Sequence, residues 1–322
     1  MAAVACLRID RVTPSPTDPP GHEAQPGPDG RAGIDTALVR RLVADEFPQW
    51  AGLPVRPVAV DGWDNRTYRL GDDLSVRLPT HDRYVAAVEK EARWLPVLAP
   101  YLPVPVPEVV ASGKPGEGYP HPWSVRRWVG GATVSAATVG DDEAQQLALD
   151  LADFLGALRA APANGGPVAG EHCFHRGGDL GVYGEEAREA FGSLEPDLGA
   201  GALDVFETAL TSQWGGEPVW FHGDVATGNL LVRDGRLAAV IDFGTCGIGD
   251  PACDLVFAWT FLEGAAREVF RSAVGLDVDT WARARGWAVW KSAVDLEGRE
   301  VTNLRILRDV VAEHRVLTRT GR

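Results

Sequence analysis

Residues 220–244, "WFHGDVATGNLLVRDGRLAAVIDFG", contain four polar side chains that could carry out chemistry: His222, Asp224, Asn229 and Asp242. The other residues of this stretch are typical of buried strands and a turn. Asp224 follows an apolar strand, Asn229 comes five residues later, and Asp242 ends a predicted hairpin. Because a short hairpin returns the chain to its start, Asp242 can lie beside Asn229. A carboxylate and an amide oxygen suit Mg²⁺, which takes other ligands from water and phosphates. The spacing therefore predicts a magnesium site, with Asp224 directed past the metal at an incoming hydroxyl.

The chemistry that fits these side chains is phosphoryl transfer. This reaction requires neutralised phosphate charge, in-line positioning and a carboxylate that takes the hydroxyl proton. In protein kinases these roles belong to a catalytic-loop Asp, an Asn five residues later and the Asp of a DFG tripeptide. The stretches "HGDVATGN" and "DFG" reproduce that spacing and tripeptide. The alternative, that Asp224 and Asp242 are turn and cap residues, explains neither feature.

The sequence resembles the aminoglycoside phosphotransferase family of small-molecule kinases. The resemblance rests on His-Gly-Asp at residues 222–224, the "DFG", and "GDPACDL" soon after it. It implies a protein-kinase-like fold, Mg²⁺ as cofactor, and ATP as phosphate donor, with GTP as the alternative donor. It also implies that Asp224 is the catalytic residue and that Asn229 and Asp242 bind the metal.

Three residues near these motifs are interpreted as structural supports of the site. In folds of this kind the His of the catalytic loop braces that loop through hydrogen bonds, so bracing is favoured over direct catalysis for His222. Asp250 fits the N-cap of a helix whose first residue is Pro251. Asp254 lies one turn further on, where its carboxylate could contact the catalytic loop.

The N-terminal part of the chain is expected to bind the nucleotide. Residues 61–70, "DGWDNRTYRL", read as strand, turn and strand, and Asn65 matches an Asn that the resembling family often carries there, although the segment lacks GxGxxG. The phosphate-pairing cation is Arg77, which stands where a Lys is usual, and the two are not interchangeable. Its partner on the next helix is Glu91 or Glu89, with Glu91 preferred because it precedes an apolar "WL". An ordinary surface salt bridge is the alternative interpretation.

The segment "VRRWVGG", residues 125–131, is expected to lead out of the nucleotide-binding part. The adenine is predicted to contact backbone groups near Trp128 and Val129. Gly130 and Gly131 would then allow movement between two lobes. These expectations follow from the order of the segments alone.

The sequence predicts an α+β, two-lobed, protein-kinase-like fold. A small N-terminal lobe, residues 34–130, combines an antiparallel sheet with one inserted helix and binds the nucleotide. A larger, mainly helical C-terminal lobe, residues 131–322, carries the catalytic and substrate-binding residues. The Pro- and Gly-rich residues 1–33 are predicted to form a disordered leader.

The net charge of −14 comes almost entirely from the second lobe. Residues 35–130 hold 12 acidic and 12 basic side chains, whereas residues 131–322 hold 29 acidic and 16 basic ones. This distribution argues against a nucleic-acid partner, which needs a basic surface. No apolar run reaches the roughly 18 residues of a membrane span, and no signal pattern begins the chain, so a cytoplasmic enzyme is expected.

The predicted function is ATP-dependent transfer of the γ-phosphate to a hydroxyl of a small molecule. The acidic lobe favours an aminoglycoside-like or other cationic antibiotic as acceptor, although acidic surfaces often serve only solubility. The alternatives are a macrolide or metabolite (sugar or amino alcohol) kinase of the same fold, and a nucleotide-binding pseudokinase. A protein kinase would carry APE after the DFG. A metal-dependent hydrolase would need more ligands than the group at residues 172–175, which is predicted to be an exposed loop. The sequence does not indicate an oligomeric state.

Two clusters in the second lobe have competing interpretations. The tryptophans at 281, 287 and 290 have helical spacing, which favours a core over a ligand wall. The acidic cluster either covers the substrate or is a solvated face; it consists of Glu185, Glu186, Glu189, Glu195 and Asp197.

Overall fold

The computed structural model of the protein describes residues 31–59, 61–62, 64–212 and 214–320. The predicted leader, residues 1–33, therefore lies outside the described residues except at its C-terminal end. The first helix, α1 (Thr36–Glu46), begins after Asp35, whose carboxylate accepts the backbone N–H of Leu38 at 2.8 Å. Asp is one of the residues that favour this N-cap position. The apolar stripe of α1 packs against the sheet that follows.

The N-terminal part contains one antiparallel sheet that places Arg77 near its centre. In chain order the elements are β1 (Val55–Pro57), β2 (Asn65–Leu70), β3 (Leu74–Pro79), α2 (Val85–Leu98), β4 (Val109–Gly113) and β5 (Trp123–Arg127). The spatial order is β1-β2-β3-β5-β4, so β3 is the central strand. Arg77 on β3 lies opposite Thr67 on one side and Ser124 on the other.

The rest of the described chain is mainly helical and contains two small antiparallel sheets. Its elements are β6 (Ala132–Thr133), α3 (Asp141–Ala160), α4 (Gly184–Gly192), α5 (Pro196–Thr211), β7 (Val219–Phe221), β8 (Leu230–Arg233), β9 (Arg236–Val240), β10 (Gly247–Gly249), α6 (Phe257–Thr260), α7 (Gly264–Val274), α8 (Val278–Val294) and α9 (Glu300–Thr320). β6 pairs with β8 of the β8–β9 hairpin, and β7 pairs with β10. Residues 128–131 connect the larger sheet to β6, and a functional boundary at residue 130 stays a prediction.

The β8–β9 hairpin brings the two predicted metal ligands together. Its turn residues, Asp234 and Gly235, both have positive φ angles, of 50° and 72°, as a two-residue type I′ turn requires. Immediately after β9, the N–H of Ile241 donates to the carbonyl oxygen of Asn229 at 2.9 Å. Asp242 is the next residue, so the hairpin carries it to the neighbourhood of Asn229, as the sequence predicts.

Helix α8 lies within the core of the helical part. The tryptophan cluster belongs to this core, as expected, with Trp281, Trp287 and Trp290 exposed by 4%, 2% and 2%. Arg283 of the same helix forms a buried ion pair with Asp250 at 2.7 Å. Among the residues that the structure describes, no helix combines the length and the apolar character needed to cross a membrane.

Candidate active site

Two cavities meet at the predicted metal ligands. The larger, of about 380 Å³, lies between the N-terminal sheet and the hairpin, and the smaller, of about 150 Å³, contains Asp224. Both are lined by Gly62, Asn229 and Asp242. The wall of the larger cavity also contains four residues predicted to bind the nucleotide: Asn65, Arg77, Trp128 and Val129. The larger cavity has the size of a nucleotide site. It meets the smaller cavity at Asn229 and Asp242, and the carboxylate of Asp224 lines the smaller cavity.

The catalytic loop is held by His222. Its Nε2 donates to the carbonyl oxygen of Ile241 at 3.0 Å, and its Nδ1 accepts the N–H of Asp224 at 3.2 Å. Both ring nitrogens are thus used by the backbone, which is the arrangement expected of a bracing residue. Gly223, between His222 and Asp224 in the chain, has a φ of +85°, and a Cβ on it would lie 2.7 Å from the carbonyl oxygen of Thr245. The loop therefore requires glycine at this position.

Two carboxylates of the segment after the DFG, Asp250 and Asp254, form contacts that support the same loop. Both carboxylate oxygens of Asp254 accept backbone N–H groups, from His222 at 2.8 Å and from Gly223 at 2.7 Å. Asp250 caps the helical turn that follows by accepting the N–H of Ala252 at 3.1 Å, in addition to its ion pair with α8. These contacts are consistent with the predicted supporting roles, which remain predictions of function.

Replacement of Asp254 by alanine is expected to lower the free energy of unfolding by about 3 kcal/mol, because two buried N–H groups lose their acceptor and each costs about 1–3 kcal/mol. Urea denaturation measures this loss. Asp254→Asn retains one acceptor oxygen but turns its NH₂ group toward the other backbone N–H, so it should recover little of this stability. Equal stability of wild type and Asp254→Ala would contradict the bracing role.

The donor set at Asn229 and Asp242 fits Mg²⁺. The Nδ2 of Asn229 donates to the backbone oxygen and to Oδ2 of Asp224, both at 2.9 Å, so its amide oxygen is the atom that could bind a cation. Within the described ranges, no cluster of three His, Cys, Asp or Glu side chains could hold a metal. A cation here would take further ligands from water and nucleotide phosphates, as Mg²⁺ does.

Asp224 has a partner that the sequence analysis missed. Nζ of Lys291, on α8, lies 3.0 Å from Oδ1 of Asp224. Burial alone would raise the pKa of Asp224, but the charge and hydrogen bond of Lys291 hold it below its usual value. A second cation, Arg176, lines the same side of Asp224 and stacks on Trp290 at 4.7 Å. No local sequence signal connects Lys291 with a residue 67 positions earlier.

Arg77 lines the larger cavity beside Asp242, one of the two predicted metal ligands. Its Nη2 donates to Oδ1 of Asp242 at 2.9 Å, and its Nη1 lies 3.5 Å from Oε1 of Glu91. Glu91 is thus the helix carboxylate that contacts it, whereas Glu89 is exposed to solvent. Asp64, which the sequence analysis also missed, lies 3.6 Å from Nη2 of Arg77. Burial and the nearby charge of Asp242 raise the pKa of Asp64 to about 7.

The structure narrows the backbone groups that could contact the adenine. The backbone N–H of Trp128 donates to the carbonyl oxygen of Asp73 at 2.7 Å, so it is not available to a base. The guanidinium carbon of Arg69 lies 4.1 Å from the centroid of the Trp128 indole ring. The carbonyl oxygen of Trp128 and the backbone of Val129 remain as the predicted partners of the adenine.

The loop at residues 172–175 also differs from expectation. It was predicted to be exposed, but Cys173 is fully buried and His172 accepts a hydrogen bond at Nδ1 from Nζ of Lys90 at 3.0 Å. His172 and Phe174 line the smaller cavity beside Asp224. The loop is therefore part of the wall of the smaller cavity.

Comparison with known structures identifies the fold. The complex of APH(2″)-IIIa with GDP and kanamycin superposes with a TM-score of 0.67 at 22% identity, covering 85% of this chain and 96% of that one. Macrolide 2′-phosphotransferase MphH from Brachybacterium faecium gives a TM-score of 0.56 at 24% identity, covering 84% and 96%. The predicted α+β, protein-kinase-like fold is thereby confirmed.

Sequence comparison gives the family. An aminoglycoside 3′-phosphotransferase from Escherichia coli is 43% identical over 47 residues, a match that spans only 15% of this chain and 17% of that protein. The model of the APH family, described as a phosphotransferase enzyme family, matches residues 55–287. That match covers most of the chain and includes both cavities. The chain therefore belongs to the APH phosphotransferase enzyme family.

Proposed function

We propose that the protein transfers the γ-phosphate of ATP to a hydroxyl of a small molecule. The observation that carries this proposal is the meeting of the two cavities at Asn229 and Asp242, with Asp224 beyond them. A nucleotide in the larger cavity would present its terminal phosphate to an acceptor in the smaller one. A pseudokinase would not need a carboxylate at the position of Asp224.

Each residue has a distinct role in this proposal. Asn229 and Asp242 hold Mg²⁺, which when bound neutralises charge on the transferring phosphate. Arg77 binds nucleotide phosphates from the N-terminal sheet. Asp224 accepts the proton of the acceptor hydroxyl, and its hydrogen bond from Asn229 fixes the orientation of its carboxylate.

The donor is proposed to be ATP, with GTP as the alternative. Among the related structures, APH(2″)-IIIa was solved with GDP and APH(2″)-Ib with ADP. The larger cavity has the size of a cofactor site. Competition between the two triphosphates in a phosphate-transfer assay decides between them.

The proposed acceptor is an aminoglycoside-like or other cationic antibiotic, and a macrolide or a metabolite alcohol is the alternative. The charge of residues 131–322 and the kanamycin named with APH(2″)-IIIa support the first class. The described surroundings of Asp224 add a constraint. Because Lys291 and Arg176 flank this carboxylate, an ammonium group of the acceptor is expected to lie away from the reacting hydroxyl.

Two carboxylates of the acidic cluster are paired with other side chains of this lobe. Glu186 accepts the indole N–H of Trp290 at 2.7 Å, and Asp197 pairs with Arg315 at 3.0 Å. Neither carboxylate lines the two cavities. The proposed effect of the negative charge is therefore long-range attraction of a cation, in addition to any contact in the pocket.

This attraction predicts a salt effect. For a polycationic acceptor, kcat/KM should fall as ionic strength rises, because the Debye length shrinks from about 30 Å at 0.01 M to about 10 Å at 0.1 M. Steady-state rates of ADP release at both ionic strengths measure this. A neutral alcohol serves as the control and should show little change. Activity confined to uncharged acceptors, without a salt effect, would defeat the proposal of a cationic acceptor.

A further inference from the structure

The carboxylate of Glu91 is a buried junction between the sheet, helix α2 and the DFG segment. Glu91 is exposed by only 2%. Its Oε1 accepts a hydrogen bond from Nη1 of Arg126 at 3.1 Å, and its Oε2 accepts one from Nη2 at 2.8 Å. Oε1 also accepts the backbone N–H of Phe243 at 3.1 Å. The glutamate therefore ties the residue after Asp242 to two elements of the N-terminal part.

Arg126 is the stronger of the two arginine partners of Glu91. It forms a bidentate pair, whereas Arg77 makes one longer contact of 3.5 Å and donates its shorter hydrogen bond, of 2.9 Å, to Asp242. Bidentate arginine–carboxylate pairs are among the strongest charge-assisted contacts in proteins. In the protein-kinase template the cation of the third strand is itself the partner of the helix glutamate. Here that pairing belongs mainly to a residue of β5.

The surroundings of Arg126 fit a permanent structural contact. Its side chain is 4% exposed, and its Nε donates to Oγ of the fully buried Ser124 at 2.9 Å. All three nitrogens of this guanidinium thus have partners within the N-terminal part. Arg77 is more accessible, at 13%, and lies beside the metal ligand.

We infer that Arg126 is a positioning residue that holds Glu91, and through it the backbone of Phe243, and so leaves Arg77 for Asp242 and the nucleotide phosphates. The assignment of Arg77 to the nucleotide phosphates rests on the proposed function, whereas the role of Arg126 depends only on the fold. The charges agree with this division. Burial would raise the pKa of Glu91, but Arg126 first and Arg77 second hold it at about 2.

The inference is tested with matched variants, Arg126→Met and Arg77→Met, and with the double variant Glu91→Gln/Arg126→Met. Urea denaturation without nucleotide measures stability, and calorimetric titration with Mg-ADP measures binding. Arg126→Met should lower the urea midpoint several times more than Arg77→Met, because it removes both bidentate hydrogen bonds of a buried carboxylate and leaves only the 3.5 Å contact with Arg77. The double variant should recover most of that loss, since the unpaired charge is gone.

For nucleotide binding, Arg77→Met should have a larger effect than the double variant. Arg77→Met is expected to weaken Mg-ADP binding about tenfold, as loss of a charge-assisted phosphate contact implies. The double variant should bind Mg-ADP within about threefold of wild type, because Arg77 no longer faces a competing carboxylate. If Arg126→Met does not fold, recovery of folding in the double variant gives the same support.

Three results would overturn the inference. One is an equal loss of stability in Arg77→Met and Arg126→Met, and another is failure of Glu91→Gln to restore stability. The third is a loss of Mg-ADP affinity in the double variant as large as that in Arg77→Met, which would mean that Arg126, whose side chain also lines the larger cavity, has the nucleotide role assigned to Arg77. If the stability pattern holds but Arg77→Met binds Mg-ADP normally, the proposed nucleotide role of Arg77 fails and the positioning role of Arg126 stands.

Discussion

Replacement of Asp224 by alanine is expected to lower kcat by about 10²–10⁴, the usual effect of removing a positioned general base. Nucleotide affinity should stay within about threefold of wild type. The reason is geometric, since Asp224 lines the smaller cavity and is not part of the wall of the larger one. Steady-state phosphate transfer and calorimetric titration with Mg-ADP measure the two quantities.

Two controls separate catalysis from structure in the Asp224 prediction. Asp224→Asn preserves the shape of the side chain but cannot take a proton at neutral pH, so it should be as slow as the alanine variant. Lys291→Met removes the ion pair and keeps the carboxylate, so it should retain far more activity than either. Turnover of Asp224→Asn within threefold of wild type would show that another group takes the proton.

Replacement of Asp242 by alanine is expected to abolish the strengthening of nucleotide binding by Mg²⁺. A carboxylate holds the cation with a full charge, whereas Asn229 offers only an amide dipole. Without Mg²⁺, the substitution should no longer weaken nucleotide binding. Asp242 accepts the hydrogen bond of Arg77 at 2.9 Å, so its removal frees a guanidinium for the phosphates. The variant should therefore bind Mg²⁺-free nucleotide at least as tightly as wild type.

Titrations of wild type, Asp242→Ala and Asn229→Ala with ADP, each with and without Mg²⁺, test this expectation. Asn229→Ala should retain part of the Mg²⁺ effect. If Asp242→Ala shows the full effect of Mg²⁺, the carboxylate does not bind the metal. Equal weakening with and without Mg²⁺ would instead indicate a collapsed cavity.

The central residues of the site could be predicted because they lie close together in the chain. Asp224, Asn229 and Asp242 are separated by one loop and one hairpin, and the Asp-Gly turn fixes how that hairpin closes. Local geometry alone then places the last carboxylate beside the amide. The helix cap at Asp35 was predictable for the same reason, since its partner lies three residues away.

The remaining contacts depend on tertiary packing that no local pattern encodes. The choice of Arg126 as the main partner of Glu91 depends on the packing of β5 against α2, which joins two residues 35 positions apart. The ion pair of Asp224 with Lys291 requires α8 to lie beside the catalytic loop.

The most direct test of the account is transfer of the γ-phosphate from ATP to an acceptor. A panel of aminoglycosides, macrolides, peptide antibiotics and amino sugars is incubated with Mg-ATP and either wild-type protein or Asp224→Asn. The account predicts that wild type releases one ADP for each acceptor molecule that gains a phosphoryl group by mass spectrometry, and that Asp224→Asn gives neither product at a comparable rate. Release of ADP without a phosphorylated acceptor, or equal transfer by both proteins, would contradict it.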